Sequence, residues 1–286
     1  MCDSCGCGDT NLVPLDVQQR ILSDNERTAT HNRHHFTERA LLAINVMGSP
    51  GAGKTAILEA TARALNNSRL IGALAGDLAT DNDAQRLQAA GIRATSITTG
   101  SACHLDAAMV HHALHHLPWS DLDYLFIENV GNLVCPAVYD LGQAANVVVL
   151  SVTEGEDKPI KYPVMFHKAD LVLISKVDLL PHLPNISVER IVDSLRRVMP
   201  EPRYIVVSAV TGEGICNGFG DSRHSPPPEP DERRTVFLLS GTSENKPILR
   251  AQVRSAWRPD GGSPPNAPAP AATRRPGRTP TSSRRS

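Results

Sequence analysis

Apolar residues gather along the chain in short runs separated by longer polar, helix-forming stretches. Leu41 to Met47 is one such run; it ends in a glycine-rich turn, and Thr55 to Leu65 follows with helix-forming residues. Further runs predict strands at Leu70 to Ala75, Ala94 to Thr98, Tyr124 to Glu128, Ala145 to Val152, Leu171 to Ser175 and Arg203 to Val207. Between them, Asp83 to Ala90, Leu105 to Leu117 and Ser187 to Met199 predict helices. Several strand runs are continuously apolar instead of alternating, as expected for parallel strands covered on both faces. The pattern predicts an α/β fold: a mostly parallel sheet of about seven strands with helices on both faces. Ligands of such sheets collect at the carboxyl ends of the strands.

The first predicted strand splits off residues 1–40 as an N-terminal arm and linker, and residues 41–216 hold the α/β pattern. Residues 217–286 differ in kind, with 12 of the chain's 22 prolines and 12 Lys and Arg against 6 Asp and Glu. Proline cannot continue helices or central strands, and this composition buries too little apolar surface to offset chain entropy, so the tail is expected to be disordered. Its basic charge alone does not call for a nucleic-acid partner. No stretch approaches the roughly 18 apolar residues of a membrane span, so no membrane partner is expected. The start, Met1-Cys2-Asp3-Ser4-Cys5-Gly6-Cys7, lacks the apolar core of a secretory signal, which points to the cytoplasm. There, six cysteines read as metal ligands or buried thiols and not as a disulfide framework.

Gly48-Ser49-Pro50-Gly51-Ala52-Gly53-Lys54-Thr55 has the spacing of a phosphate loop and lies between a predicted strand and a predicted helix. Gly48, Gly51, Ala52 and Gly53 let backbone N–H groups close around phosphates, and the helix N-terminus adds its positive dipole end. Lys54 reaches the terminal phosphates and Thr55 is the expected Mg2+ ligand. Phosphoryl transfer also needs carboxylates that hold the cation and position water. Asp77 and Glu128, each at a strand end, are the candidates, with Asp81 or Asp83 as possible sharers of the first role. The sequence therefore reads as an α/β P-loop NTPase.

Ser175-Lys176-Val177-Asp178 follows a strand and resembles the Asn-Lys-x-Asp guanine signature, with serine in place of asparagine. A carboxylate at Asp178 accepts the N1–H and amino protons of guanine, whereas adenine presents an acceptor at N1. Asp178 thus selects GTP, Lys176 flanks the base, and Ser208-Ala209 reads as the second guanine-contacting loop.

Cys2, Cys5 and Cys7 lie close enough for one ion to gather them, and soft thiolates suit Ni2+, Zn2+ or Cu+. Cys103-His104 and Cys135 form a second candidate set, with Cys135 only seven residues beyond Glu128. His111, His112, His115 and His116 make two i, i+4 pairs that read as a solvated helix face, like His31, His34 and His35 in the polar segment before the first strand.

Taken together, the Cys2-x-x-Cys5-Gly6-Cys7 start, the phosphate loop, Cys103-His104 and Glu128-Asn129-Val130-Gly131-Asn132-Leu133-Val134-Cys135-Pro136 resemble the HypB family, the nickel-incorporation GTPases of [NiFe]-hydrogenase maturation. Glu154 to Pro159 and Ser208 to Gly214 extend the likeness, which covers residues 1 to about 215. The resemblance implies a cytoplasmic, slow GTPase that forms a GTP-dependent homodimer and binds Ni2+ or Zn2+. It further implies work with a HypA-type nickel chaperone on the precursor of the hydrogenase large subunit. By it, Cys2, Cys5 and Cys7 carry over as the tight nickel site, and Cys103, His104 and Cys135 as a nucleotide-linked metal site at the dimer interface. Two other functions fit parts of the pattern: a nickel or zinc store with a vestigial nucleotide site, and the related GTPase of urease maturation. The chain departs from the family after Gly214, where a short closing helix is expected and the Pro/Arg-rich tail stands instead, a composition that a GC-rich gene read in a shifted frame produces.

Overall fold

The apolar runs become seven strands of one all-parallel sheet in the computed structural model, which describes residues 15–215 apart from 79 and 101. They are β1 (Leu42–Met47), β2 (Ile71–Asp77), β3 (Arg93–Thr98), β4 (Tyr124–Glu128), β5 (Ala145–Ser151), β6 (Leu171–Ser175) and β7 (Tyr204–Val206). The order across the sheet is β3-β2-β4-β1-β5-β6-β7. Every residue of β1, β4 and β6 is buried, which is why those segments are apolar at consecutive positions. The helices are α1 (Leu15–Glu38), α2 (Lys54–Leu65), α3 (Asn82–Ala89), α4 (Ala107–Leu114), α5 (Lys158–Lys161), α6 (Pro163–His167) and α7 (Val188–Val198).

Alternate residues of the strands feed cores on opposite faces. Leu42, Ile44 and Val46 of β1 pack with Ile57, Leu58 and Leu65 of α2 and Leu87 of α3. Ala43 faces the other way, into a cluster with Phe36 of α1 and Val110 and Leu114 of α4. A third cluster joins Met47, Val148 and Ile174 to Phe166 of α6 and Ile191 and Leu195 of α7. Ser187 caps α7 by accepting from Arg190 N–H, and Asp106 caps α4 by accepting from Met109 N–H at 2.7 Å.

The structure differs from the sequence expectation before β1. Residues 15–38, expected as arm and linker, form a helix of 24 residues that lies on α4 and β1. Its buried residues are few: Ala29, Asn32 and Phe36, at the i, i+3, i+7 spacing of one helix face. Polar ties supply the rest. Asn25 donates to Asp140 O and accepts from Ala107 N–H, and Arg33 pairs with Asp140. The helix expected at Leu105 starts at Ala107, so Cys103 and His104 stand in the loop ahead of it. Among the described residues, no helix is long and apolar enough to cross a membrane.

Candidate nucleotide and metal sites

The phosphate loop leaves the central strand where the sheet brings β1 between β4 and β5. Gly48 (φ 149°), Gly51 (φ 73°) and Gly53 (φ 101°) have backbone angles that L side chains rarely adopt. At Gly48 an added Cβ would lie 2.4 Å from the carbonyl oxygen of Val149, so the β1–β5 register itself requires glycine. Lys54 is buried and donates to Gly48 O at 3.2 Å and Ser49 O at 3.3 Å, curled over its own loop. Burial holds its pKa below the ordinary value, opposed by Glu128 and Asp83.

Opposite the loop, Val46 of β1 is in register with Glu128 of β4, which sets the Glu128 carboxyl beside Thr55. Thr55 Oγ1 is 2.8 Å from Glu128 Oε1 and 2.9 Å from Asp83 Oδ1, and its single proton can serve only one of them. Burial pushes the Glu128 carboxyl up to about 7, with Lys54 and the Thr55 hydrogen bond pulling the other way. Its Oε2 is buried without a hydrogen-bond partner. A hydroxyl, an orphaned buried carboxylate oxygen and a second carboxylate form the hard oxygen set that a Mg2+ ion takes. These groups line a cavity of about 490 Å3 together with Gly53, Lys54, Asp77 and Gly131. Asp77 ends β2 at the rim, where its carboxylate accepts from Leu78 N–H and the Thr80 hydroxyl, so Asp83 is the acid in contact with Thr55.

The two segments expected to contact guanine also meet. Ser208 Oγ donates to Asp178 Oδ1 at 2.6 Å, and the same oxygen accepts from Val210 and Thr211 N–H. Lys176 sits in the left-handed region (φ 61°), from which Nζ donates to Gly51 O at 2.5 Å and its stem lies against Gly53. Ser175, where the signature has asparagine, is buried and donates to Ala52 O at 2.7 Å. A short hydroxyl therefore supplies the tie between base loop and phosphate loop at this position.

Cys103, His104 and Cys135 converge on the other side of the 128–135 segment, with all three donor atoms within 4.8 Å of one another. The two sulfurs are 3.0 Å apart and Cys103 Sγ is 3.8 Å from His104 Nδ1. The His104 ring stacks on Tyr139 with centroids 3.8 Å apart, and burial lowers its pKa. The hydrogen bond from Cys103, then burial, raises the Cys135 thiol. Two thiols and an imidazole make a donor set for Ni2+ or Zn2+.

Asn129, which sequence reading passed over, joins the two sites. It follows Glu128 directly; its Oδ1 accepts from Leu105 N–H at 3.1 Å and Val130 N–H at 3.0 Å, and its Nδ2 donates to Asn45 Oδ1 at 3.1 Å. A polar residue sandwiched between an apolar strand and the Cys135 loop is the one sequence signal for it. Cys2, Cys5 and Cys7, like the 217–286 tail, lie outside the described residues.

A parallel sheet with this loop at the end of its central strand defines a P-loop nucleotide-binding protein. The family model described as the CobW/HypB/UreG nucleotide-binding domain matches residues 42–205. The hydrogenase maturation factor HypB of Azotobacter vinelandii is 52% identical over 201 residues, which are 70% of this chain and 66% of that protein. The chain thus spans just under two-thirds of that relative's length. The crystal structure of Helicobacter pylori HypB in complex with nickel is 41% identical with a TM-score of 0.62, over 65% of this chain and 87% of that one. Archaeoglobus fulgidus HypB has the same identity and TM-score over 68% and 94%. The chain belongs to the CobW/HypB/UreG family and, within it, to the HypB hydrogenase maturation factors.

Proposed function

We propose that this protein is a GTP-hydrolysing nickel metallochaperone that helps to insert nickel into the large subunit of [NiFe]-hydrogenase. The observation that carries the reading is the single polar bridge, Asn129, between the Glu128 end of the phosphate pocket and the Cys103-His104-Cys135 trio. In this reading Gly48, Gly51, Ala52 and Gly53 wrap the phosphates, and Lys54 leaves its loop carbonyls for the terminal phosphate oxygens. Thr55, Glu128 and Asp83 hold Mg2+, which when bound neutralises charge on the transferring phosphoryl group. Asp178 and Lys176, with Ser208 and Ala209, read guanine. Nickel is cargo at the thiolate sites, Cys2, Cys5 and Cys7 included, and Zn2+ competes for the same soft donors.

Residues 41–216 act as the GTPase domain, with residues 1–40 as the metal-carrying arm, now including the docked helix α1, and residues 217–286 as an appended tail. A GTP-dependent homodimer is supported by exposed Val134 and Val138 on either side of Cys135, and by exposed Val164 on α6, which packs against the turn holding Cys135. The HypA-type chaperone, the hydrogenase precursor and the cytoplasmic setting follow from the family resemblance. The test is nickel titration of the full chain with and without GTP, with thiolate-to-nickel absorbance and phosphate release recorded together. Tight nickel binding with slow, metal-sensitive GTP hydrolysis supports delivery; nickel binding without nucleotide binding refutes it and favours storage.

A further inference from the structure

The sequence left the histidines at 111–116 as a solvated face; His112, His115 and His116 are indeed exposed, and the structure departs from that reading at His111, which is half-buried. His31 and His35 of α1 meet His111 of α4 across the helix interface, with ring centroids 5.1 Å (His31 to His111) and 6.3 Å (His35 to His111) apart. His115 lies 5.2 Å from His111 in the same measure. His31 Nε2 and His35 Nε2 are 3.0 Å apart. Metal–imidazole bonds of 2.0–2.1 Å place neighbouring ligand nitrogens about 3 Å from each other, so this pair already has a chelating separation.

We propose that His31, His35 and His111, with His115 alongside, form a metal site separate from the thiolate sites, which takes a borderline divalent ion such as Ni2+ or Zn2+ through imidazole nitrogens alone. As the rings stand their donor nitrogens are not all within 4.8 Å of one another, so ligation draws the His31 and His35 rings toward His111. Asn32 is fully buried and its Nδ2 donates to Ala107 O at 2.9 Å and Leu141 O at 3.2 Å, which leaves Oδ1 as the acceptor facing His111 Nδ1 at 3.1 Å. His111 therefore carries its proton on Nδ1 and keeps a lone pair on Nε2, the arrangement that a carbonyl partner imposes on metal-bound histidine. His35 Nδ1 is buried without a hydrogen-bond partner, with Glu38 Oε2 near it at 3.8 Å.

The ordinary alternative is a lone N–H···N hydrogen bond between His31 and His35. Untagged full-length protein is titrated with Zn2+ by calorimetry, with imidazole 1H–15N spectra recorded at each addition. Once the thiolate sites are filled, the Nε2 resonances of His31, His35 and His111 are expected to move together as one further equivalent binds. His31→Gln, an exposed position that cannot unfold the protein, is expected to weaken that equivalent tenfold or more, and His31→Gln/His35→Gln to abolish it. His112→Gln/His116→Gln, the other i, i+4 pair, is expected to leave it intact. Equal stoichiometry in wild type and both double variants overturns the proposal, as does an equal loss from the control pair.

Discussion

Glu128, a cation ligand in the proposed reading, costs stability in the nucleotide-free protein. Its carboxyl is buried and its pKa rises from 4.5 to about 7, chiefly through desolvation. The folded protein thus keeps this proton at pH values where the unfolded chain has released it. That contribution is fully present below pH 4.5 and is lost as pH rises through about 7. A shift of this size corresponds to about 3 kcal/mol at pH 8 and under about 1 kcal/mol at pH 5. Glu128→Gln keeps the shape and the hydrogen bond to Thr55 and removes the ionisation. In the nucleotide-free protein it is expected to raise stability at pH 8 by about 2–3 kcal/mol relative to wild type, with little gain at pH 5. Urea denaturation of both proteins across pH 5–8 measures the difference, in which titrating groups that do not interact with Glu128 cancel. GTP hydrolysis by the same variant is expected to fall at least a hundredfold. A wild-type-minus-variant difference that does not change with pH refutes the placement of Glu128 as a buried, uncompensated acid.

Asp178→Asn reverses the donor pattern at the base, so GTP affinity should fall about 10- to 100-fold while xanthosine triphosphate gains; competition binding of the two nucleotides checks it. Gly48→Ala drives a Cβ against Val149 O at 2.4 Å, and thermal unfolding should show a loss of about 3 kcal/mol or no folded protein at all. Asn129→Ala strips the Leu105 N–H of its acceptor inside the core, for a cost of about 1–3 kcal/mol. In that variant the effect of GTP on nickel affinity should shrink toward none, read by nickel titration with a non-hydrolysable GTP analogue.

The middle of the sheet was legible because β1, β4 and β6 are buried at every position and therefore run apolar or nearly so, as in Tyr124 to Glu128 and Leu171 to Ser175, whereas the edge strand β3 carries Arg93, Thr95 and Ser96 at part-exposed positions. The phosphate loop was legible because its parts are contiguous. Asp83 was harder, since its contact with Thr55 depends on the lean of α3 against α2 and not on sequence spacing. Asp77, nearer the strand end, satisfied its carboxylate within its own turn. The helix α1 escaped notice because, among its described side chains, Ala29, Asn32 and Phe36 are the buried ones, and its other ties, from Asn25 and Arg33, are polar. The histidine cluster needed that helix to be placed before its rings could meet.

In the proposed reading Asn129 is the short path through which nucleotide and metal states would be coupled. Glu128 ends β4 in the phosphate pocket, the next side chain fixes the amide of Leu105, and His104 precedes Leu105 by one residue. Gly76 and Gly131 tighten the same connection: an added Cβ would meet Leu105 at 2.9 Å in one case and Pro50 of the phosphate loop at 2.8 Å in the other. Packing this close leaves no slack in which a shift at Glu128 can be absorbed before it reaches the His104 loop. Binding linkage then demands symmetry: whatever factor GTP applies to metal affinity at Cys103, His104 and Cys135, metal must apply to GTP affinity. Loss of the Asn129 amide should reduce both factors equally, and a variant that lost one while keeping the other would place the coupling outside this bridge.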